Sequence, residues 1–181
     1  MNGAKANKTM SDSSLGAALP ASWYSSRGIY ELESRAIFSR QWLTVTHELR
    51  LAAPGAYAKF TITGYRFFII RARNGDLNAF LKMCQHRAFP VVLQDEGTAS
   101  LTCLVPESLS NRQSWSYGLN GKLAKVPNFD KVGDFDKSQY GVFRVHVKVD
   151  VKGFAWVNLD GALVPAIKWE NSLPVSTSNS G

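Results

Sequence analysis

The stretch Met83-Cys84-Gln85-His86-Arg87-Ala88-Phe89-Pro90 decides the fold of this chain, together with Cys103 and the run Trp115-Ser116-Tyr117-Gly118. Both cysteines of the sequence and one of its three histidines lie in this region. The Cys84-x-His86 pair brings a thiolate and an imidazole together on one predicted loop, and Cys103 suggests a second loop that closes over the same site. Thiolate and imidazole ligands in combination are typical of zinc and iron–sulfur sites.

These residues resemble the Rieske iron–sulfur motif, in which Cys-x-His is followed, after about 15 to 17 residues, by Cys-x-x-His and in which two Cys and two His bind the cluster. In this chain 16 residues separate His86 from Cys103. The flanking runs 87–90 and 115–118, and the phrase 37–42 upstream, resemble those of Rieske non-haem iron oxygenases. The resemblance covers about residues 19 to 160. It implies that Cys84, His86 and Cys103 are the metal and cofactor ligands of a 2Fe–2S cluster.

The fourth ligand of the motif is missing. Counting forward from Cys103, the second histidine of the motif falls on Pro106, and counting back from Trp115 in the family pattern His-Gly-Trp, it falls on Gln113. The segment between Cys103 and Trp115 is also seven residues too long for that pattern. The sequence therefore predicts a Rieske site with a replaced second loop, for which a misplaced exon boundary is one explanation. Residues 104–113 are predicted to form a mobile surface loop.

The remaining donors do not complete the site by pattern. His47 follows a strand far from the motif and is predicted to be a partly exposed polar residue. His146 lies on the polar face of an alternating strand and is predicted to face solvent. Glu107 is the nearest carboxylate in the replaced segment, but its spacing does not recommend it. Trp115 and Tyr117 are predicted to support the core and the loops.

The pattern along the chain predicts one helix, from about Gly28 to Arg40, with Ser25 or Ser26 as its N-cap, followed by short strands. The predicted strands cover about 42–46, 57–62, 67–73, 76–83, 98–103, 115–118, 122–125, 142–149 and 154–159. Asn74-Gly75 and Asn120-Gly121 are hairpin signals. These features predict an all-β domain. The resemblance implies a Rieske-type antiparallel β-sandwich with one flanking N-terminal helix and both ligand loops at one tip.

Composition limits the class of protein. A length of 181 residues suits one domain, and two cysteines are too few for a secreted disulfide framework, so a cytoplasmic setting is predicted. No apolar run is long enough to span a membrane. The net charge of +7 comes from scattered basic residues, which does not predict nucleic-acid binding. Residues 1–18 and 163–181 are predicted to be disordered tails of a domain that covers 19–162.

The resemblance implies an electron-transfer domain of the oxidoreductase class that receives electrons from a reductase or ferredoxin. Beyond Cys103 the only histidine is His146, so the sequence has no two-His-one-carboxylate iron site and is not expected to be an autonomous oxygenase. The missing histidine makes occupancy by the 2Fe–2S cluster doubtful. Two alternatives stay open: a cluster-free domain that acts through protein contacts, and a zinc site on Cys84, His86 and Cys103.

Overall fold

The computed structural model of the chain describes residues 19–83, 90–92, 94–99, 115–126 and 136–172. Two short helices precede the strands, α1 (Ala21–Tyr24) and α2 (Arg27–Glu33), and α2 continues into a π-helical turn at Ser34–Phe38. The strands in the described residues are β1 (Trp42–His47), β2 (Ala56–Ile62), β3 (Tyr65–Arg71), β4 (Leu77–Leu81), β5 (Glu96–Thr98), β6 (Ser116–Tyr117), β7 (Leu123–Lys125), β8 (Arg144–Val149) and β9 (Phe154–Asn158). The all-β prediction is confirmed.

The predicted helix is present but differs in form. Ser26 caps α2, since its hydroxyl accepts a hydrogen bond of 3.4 Å from the amide of Ile29. No residue of either helix is buried, and Leu32 and Ile37 on its apolar face are about half exposed. A side-chain contact to the turn between β2 and β3 comes from Ser34, whose hydroxyl donates to the carbonyl of Thr63 over 3.4 Å.

Seven strands form one antiparallel sheet in the order β1-β9-β8-β4-β3-β2-β5, and β6 and β7 form a separate hairpin. Strand β8 joins the two halves of the sheet. It pairs with β4 through residues 144 and 145, and with β9 through residues 146–149. Because one strand serves two partners along its length, the sheet curls and encloses apolar side chains on both of its faces.

Strand β3 separates two hydrophobic cores. Side chains alternate along a strand, so Phe67 and Ile69 enter one core while Phe68 and Ile70 enter the other, and all four are fully buried. We call the second the loop-side core; its buried residues are Tyr57, Phe68, Ile70, Phe80, Val91, Val92, Trp115, Tyr117, Leu119, Leu123, Val126 and Val142. The first is the opposite core; its buried residues are Leu51, Ala58, Phe67, Ile69, Leu77, Ala79, Val145, Ala155, Val157 and Leu159.

The packed part of the chain extends beyond residue 162, where the sequence predicted a disordered tail to begin. Trp169 lies in a short 3-10 turn, with its ring centroid 5.1 Å from that of Trp42 and 5.8 Å from that of Trp156. The indole of Trp42 also donates a hydrogen bond of 2.9 Å to the carbonyl of Ile167. This aromatic packing holds residues 165–172 against the sheet. The polar residues nearby in the sequence gave no sign of it. The other proposed boundaries stay predictions.

Candidate metal centre

The predicted ligands Cys84, His86 and Cys103 lie outside the described residues, as does the predicted surface loop at 104–113. Their mutual distances therefore stay predictions. The residues next to them are described, and these show where each ligand segment is attached to the sheet and its cores.

The first ligand segment, residues 84–89, is closed at its base by a β-bridge. Met83 pairs with Pro90 in an antiparallel bridge, and the amide of Val91 donates a hydrogen bond of 2.8 Å to the carbonyl of Lys82. Val91 and Val92 are about 1% exposed and belong to the loop-side core. Met83 and Pro90, the residues on either side of this six-residue segment, therefore lie next to each other just beyond β4.

The second ligand segment, residues 100–114, begins and ends at the same core. Ala99 packs against the loop-side core, and its amide donates a hydrogen bond of 2.8 Å to the carbonyl of Gly55. Trp115, at the other end, is 7% exposed and meets the ring of Tyr140 edge-on at a centroid distance of 5.6 Å. Trp115 and Tyr117 are core residues, as predicted, and both segments are thus attached to one body of packed side chains.

The hairpin β6–β7 is held against the sheet beside these segments. The side-chain amide of Asn78 donates to the carbonyl of Leu119 over 3.2 Å, and the guanidinium of Arg144 donates to the carbonyl of Asn120 over 3.0 Å. Gly121 is bridged to the same region, since its carbonyl accepts from the amide of Val142 over 3.0 Å. These bonds tie the chain that follows the second segment to β4, the strand that precedes the first, and to the start of β8.

His47 is used by its own turn. Its Nε2 donates to the carbonyl of Lys152 over 2.9 Å, and its Nδ1 accepts from the amide of Leu49 over 3.2 Å. Both ring nitrogens are therefore engaged, and no lone pair is left for a metal. His47 also lies on β1, three positions from β4 in the sheet, and it pairs with Phe154 at the end remote from Met83.

His146 is half-buried rather than solvent-facing, which corrects the expectation from strand alternation. Its Nε2 donates a hydrogen bond of 2.8 Å to the carbonyl of Ala162. In the register of β4 and β8, Arg144 lies opposite Phe80, so His146 is displaced from Met83 by about five residues. At about 3.3 Å per residue, that separation is roughly 16 Å along the strands. A ligand must approach a metal to about 2 Å.

In the ranges that the structure covers, no group of three or more His, Cys, Asp or Glu side chains could hold a metal ion. Sequence reasoning missed a cluster of cations beside Met83, formed by Lys59, Arg66 and Lys82. Burial lowers the pKa of Lys82, and the neighbouring charges of Lys59 and Arg66 lower it further, against a smaller opposite effect of Asp95. The hydrogen bond and the charge of Lys59 in turn lower the pKa of Asp95.

No helix within the described part of the chain is long and apolar enough to cross a membrane.

Comparison with known proteins identifies similarity over most of the described region. Residues 41–136, more than half of the sequence, match the family model of the Rieske [2Fe-2S] domain. The carnitine monooxygenase oxygenase subunit of Acinetobacter baumannii is 32% identical over 141 residues, which are 78% of this chain and 36% of that protein. The chain therefore spans about a third of the length of this curated relative.

Solved structures show the same similarity. A quaternary ammonium Rieske monooxygenase in complex with an inhibitor superposes with a TM-score of 0.70 at 31% identity, over 80% of this chain and 38% of that chain. Naphthalene 1,2-dioxygenase with indole bound in its active site superposes with a TM-score of 0.65 at 26% identity, over 77% of this chain and 30% of that chain. The curled antiparallel sheet with its loop-side core is thus shared with the domain that these proteins contain.

Proposed function

The chain belongs to the Rieske [2Fe–2S] domain family, and on that premise we propose that it is an electron-transfer domain related to oxygenase α subunits, with Cys84, His86 and Cys103 as its cluster ligands. The observation that carries this proposal is the common attachment of the two ligand segments. Val91, just after the first segment, and Trp115, just after the second, both belong to the loop-side core, and Ala99, just before the second, packs against it. Attachment of this kind supports convergence of the two segments at one end of the domain.

The donor set fits the group only in part. A Rieske cluster takes two Cys on one iron and two His on the other. Cys84 and Cys103 would satisfy the first iron, while His86 alone would be available to the second. Pro106 has no side-chain donor, and Gln113 has only a neutral amide. Because His47 and His146 are hydrogen-bonded elsewhere, we propose that the cluster site is impaired.

The partner follows from the same proposal. If the cluster assembles, it must receive its electrons from a redox partner. We propose that this electron donor is a reductase or a ferredoxin. The donor count also favours a second candidate, because two thiolates, one imidazole and a water molecule satisfy four-coordinate zinc. A domain without any metal, acting through protein contacts, is the third.

Metal analysis of the purified chain separates these candidates. The protein is produced in iron-supplied medium and purified without oxygen, and its iron, acid-labile sulfide and zinc are determined together with its EPR spectrum after reduction. Iron and sulfide well below two per chain, with a weak Rieske-type signal, is the expected result. One zinc without sulfide would favour the zinc site. Two irons, two sulfides and a full-strength signal would overturn the proposed impairment, and no metal under any condition would overturn the electron-transfer function.

A further inference from the structure

Three basic side chains share one face of the sheet because of the strand register. Thr61 of β2 lies opposite Arg66 of β3, and the amide of Lys82 donates a hydrogen bond of 2.9 Å to the carbonyl of Arg66, which extends the pairing by one more row. Lys59 lies two rows away, opposite Phe68. Side chains two apart on a strand point to the same face, so Lys59, Arg66 and Lys82 all project from one face.

That face is the one that carries the loop-side core. Phe68 and Phe80 are two residues from Arg66 and Lys82 respectively, and both are fully buried in that core. The three cations therefore stand at the margin of the core. Within the described residues they line an open cavity of about 200 Å³; its lining residues are Lys59, Phe60, Thr61, Arg66, Lys82 and Asp95.

The charge of this cavity is not balanced by the described residues that line it. Asp95 is the only acidic residue among the described residues that line the cavity, and its carboxylate forms an ion pair of 2.9 Å with the ammonium of Lys59. The side chain of Lys59 is only 14% exposed, whereas that of Asp95 is 97% exposed and stands at the rim. Three cations against one carboxylate leave an excess of two positive charges, partly removed from water.

We propose that this cavity, which we call the β2–β4 pocket, binds a dianionic phosphate group. The charge of hydrogen phosphate matches the excess of two, whereas a carboxylate would neutralise half of it. Arg66 is exposed and carries a planar set of N–H donors suited to two phosphate oxygens, and Lys59 and Lys82 act as point charges. The open side of the pocket admits either free phosphate or the phosphate of a small monoester. No cluster ligand takes part, so this inference goes beyond the proposed electron-transfer function.

Isothermal titration of the full chain tests the proposal, with inorganic phosphate, adenosine 5′-monophosphate and acetate as separate probes at matched ionic strength. We expect phosphate-bearing probes to bind and acetate to bind at least about tenfold more weakly, since it carries half the charge. Tighter binding of inorganic phosphate would assign the free ion, and tighter binding of the nucleotide would assign a phosphate ester. Equal binding of acetate and phosphate, or no binding of either phosphate at millimolar concentration, would overturn the proposal.

Substitutions locate the binding. Arg66→Gln and Lys82→Gln should each weaken phosphate binding by about tenfold, since each removes a charge-assisted contact. Arg66→Lys should lose less, because it keeps the charge. Lys148→Gln, on the exposed side of β8, is the matched control and should leave the affinity within about twofold. Circular dichroism checks that each variant is folded, and iron is determined in every sample. Folded Arg66→Gln and Lys82→Gln variants that bind phosphate as tightly as the control would place the site elsewhere.

Discussion

At the scale of one residue, Gly121 allows the hairpin β6–β7 to pack closely against Phe80. Its φ angle is +78°, and a Cβ at this position would collide with the ring of Phe80 in the loop-side core. Gly121→Ala should therefore destabilise the protein by about 2 to 4 kcal/mol, from backbone strain and overpacking together. Urea unfolding followed by tryptophan fluorescence measures this.

Gly75 provides the matched control for that substitution. Its φ angle is +88°, but nothing lies within 4 Å of a Cβ built there. Gly75→Ala should therefore cost only the strain of a positive φ, about 1 kcal/mol. Equal losses in the two variants would mean that contact with Phe80 contributes nothing.

His86 and His146 should differ in their effect on metal binding. Any iron or zinc that the chain holds should fall to a small fraction in His86→Ala, because the proposed site then has two thiolates and no imidazole. His146→Gln should retain the metal of the unaltered chain, since the imidazole of His146 is bonded to Ala162 far from Met83. The metal content per chain is measured for the unaltered chain and for both variants in parallel preparations. Metal loss in His146→Gln alone would identify that histidine as the missing ligand.

Asp160 predicts a pH dependence of stability. The amides of Ala166 and Ala162 each donate a hydrogen bond of 3.0 Å to its carboxylate, and these bonds lower its pKa below the ordinary value of 3.8. A lowered pKa in the folded state stabilises the fold above pH 3.8, and that contribution is lost as the pH falls through the folded pKa.

The variant Asp160→Asn should therefore be less stable than the parent at pH 7, with a difference that narrows below pH 3.8. Urea midpoints between pH 7 and pH 3 measure the difference. Glu170→Gln, exposed on the same segment, is the control and should follow the parent. A difference between Asp160→Asn and the parent that stays constant over this range would contradict the assignment.

At the scale of elements, the replaced second segment is the point on which cluster assembly depends. Replacing residues 104–114 by Lys-Tyr-His-Gly restores both the fourth imidazole and the spacing between Cys103 and Trp115. Because both irons would then have their two protein ligands, we expect two irons and two sulfides per chain and a potential above that of all-cysteine ferredoxins. Visible absorption, EPR and a redox titration measure this.

A repaired chain that carries Gln in place of the restored histidine keeps the length and removes the ligand, which separates the two effects. It should lose the Rieske signal while keeping the stability of the repaired chain. If the unaltered chain and the repaired chain bind the same amount of cluster, another residue of the unaltered chain supplies the fourth ligand.

At the scale of the whole molecule, β3 should be the most stable part of the described fold. Phe67, Phe68, Ile69 and Ile70 are fully buried, and β3 lies between β2 and β4, so both of its faces and both of its edges are covered. Amide hydrogen exchange should therefore be slowest there and fastest in α1, α2 and the edge strand β5, none of which has a buried residue. Mass spectrometry of peptides from native-state exchange checks this order; protection of α2 equal to that of β3 would contradict it.

Local patterns in the sequence determined much of this protein. Alternation in 142–149, the turn signal Asn74-Gly75 and the cap at Ser26 each act through neighbouring residues, so β8, the β3–β4 hairpin and the start of α2 could be predicted. The motif around Cys84 and Cys103 identified the family, because ligand chemistry constrains residue types and spacing. The missing histidine could also be recognised from the sequence, because Pro106 and Gln113 occupy the two positions at which the motif would place it.

Tertiary structure alone decided what depends on strands that are distant in sequence. Lys59, Arg66 and Lys82 are scattered along the chain, and only the pairing of β2, β3 and β4 brings them together around one pocket. The packing of Trp169 on Trp42 orders residues 165–172, for which the polar sequence around them predicted a disordered tail. Strand alternation predicted that His146 faces solvent, but in the folded chain its imidazole is hydrogen-bonded to the carbonyl of Ala162. Each of these contacts joins residues whose separation in sequence carries no periodic signal, so no local pattern could have revealed it.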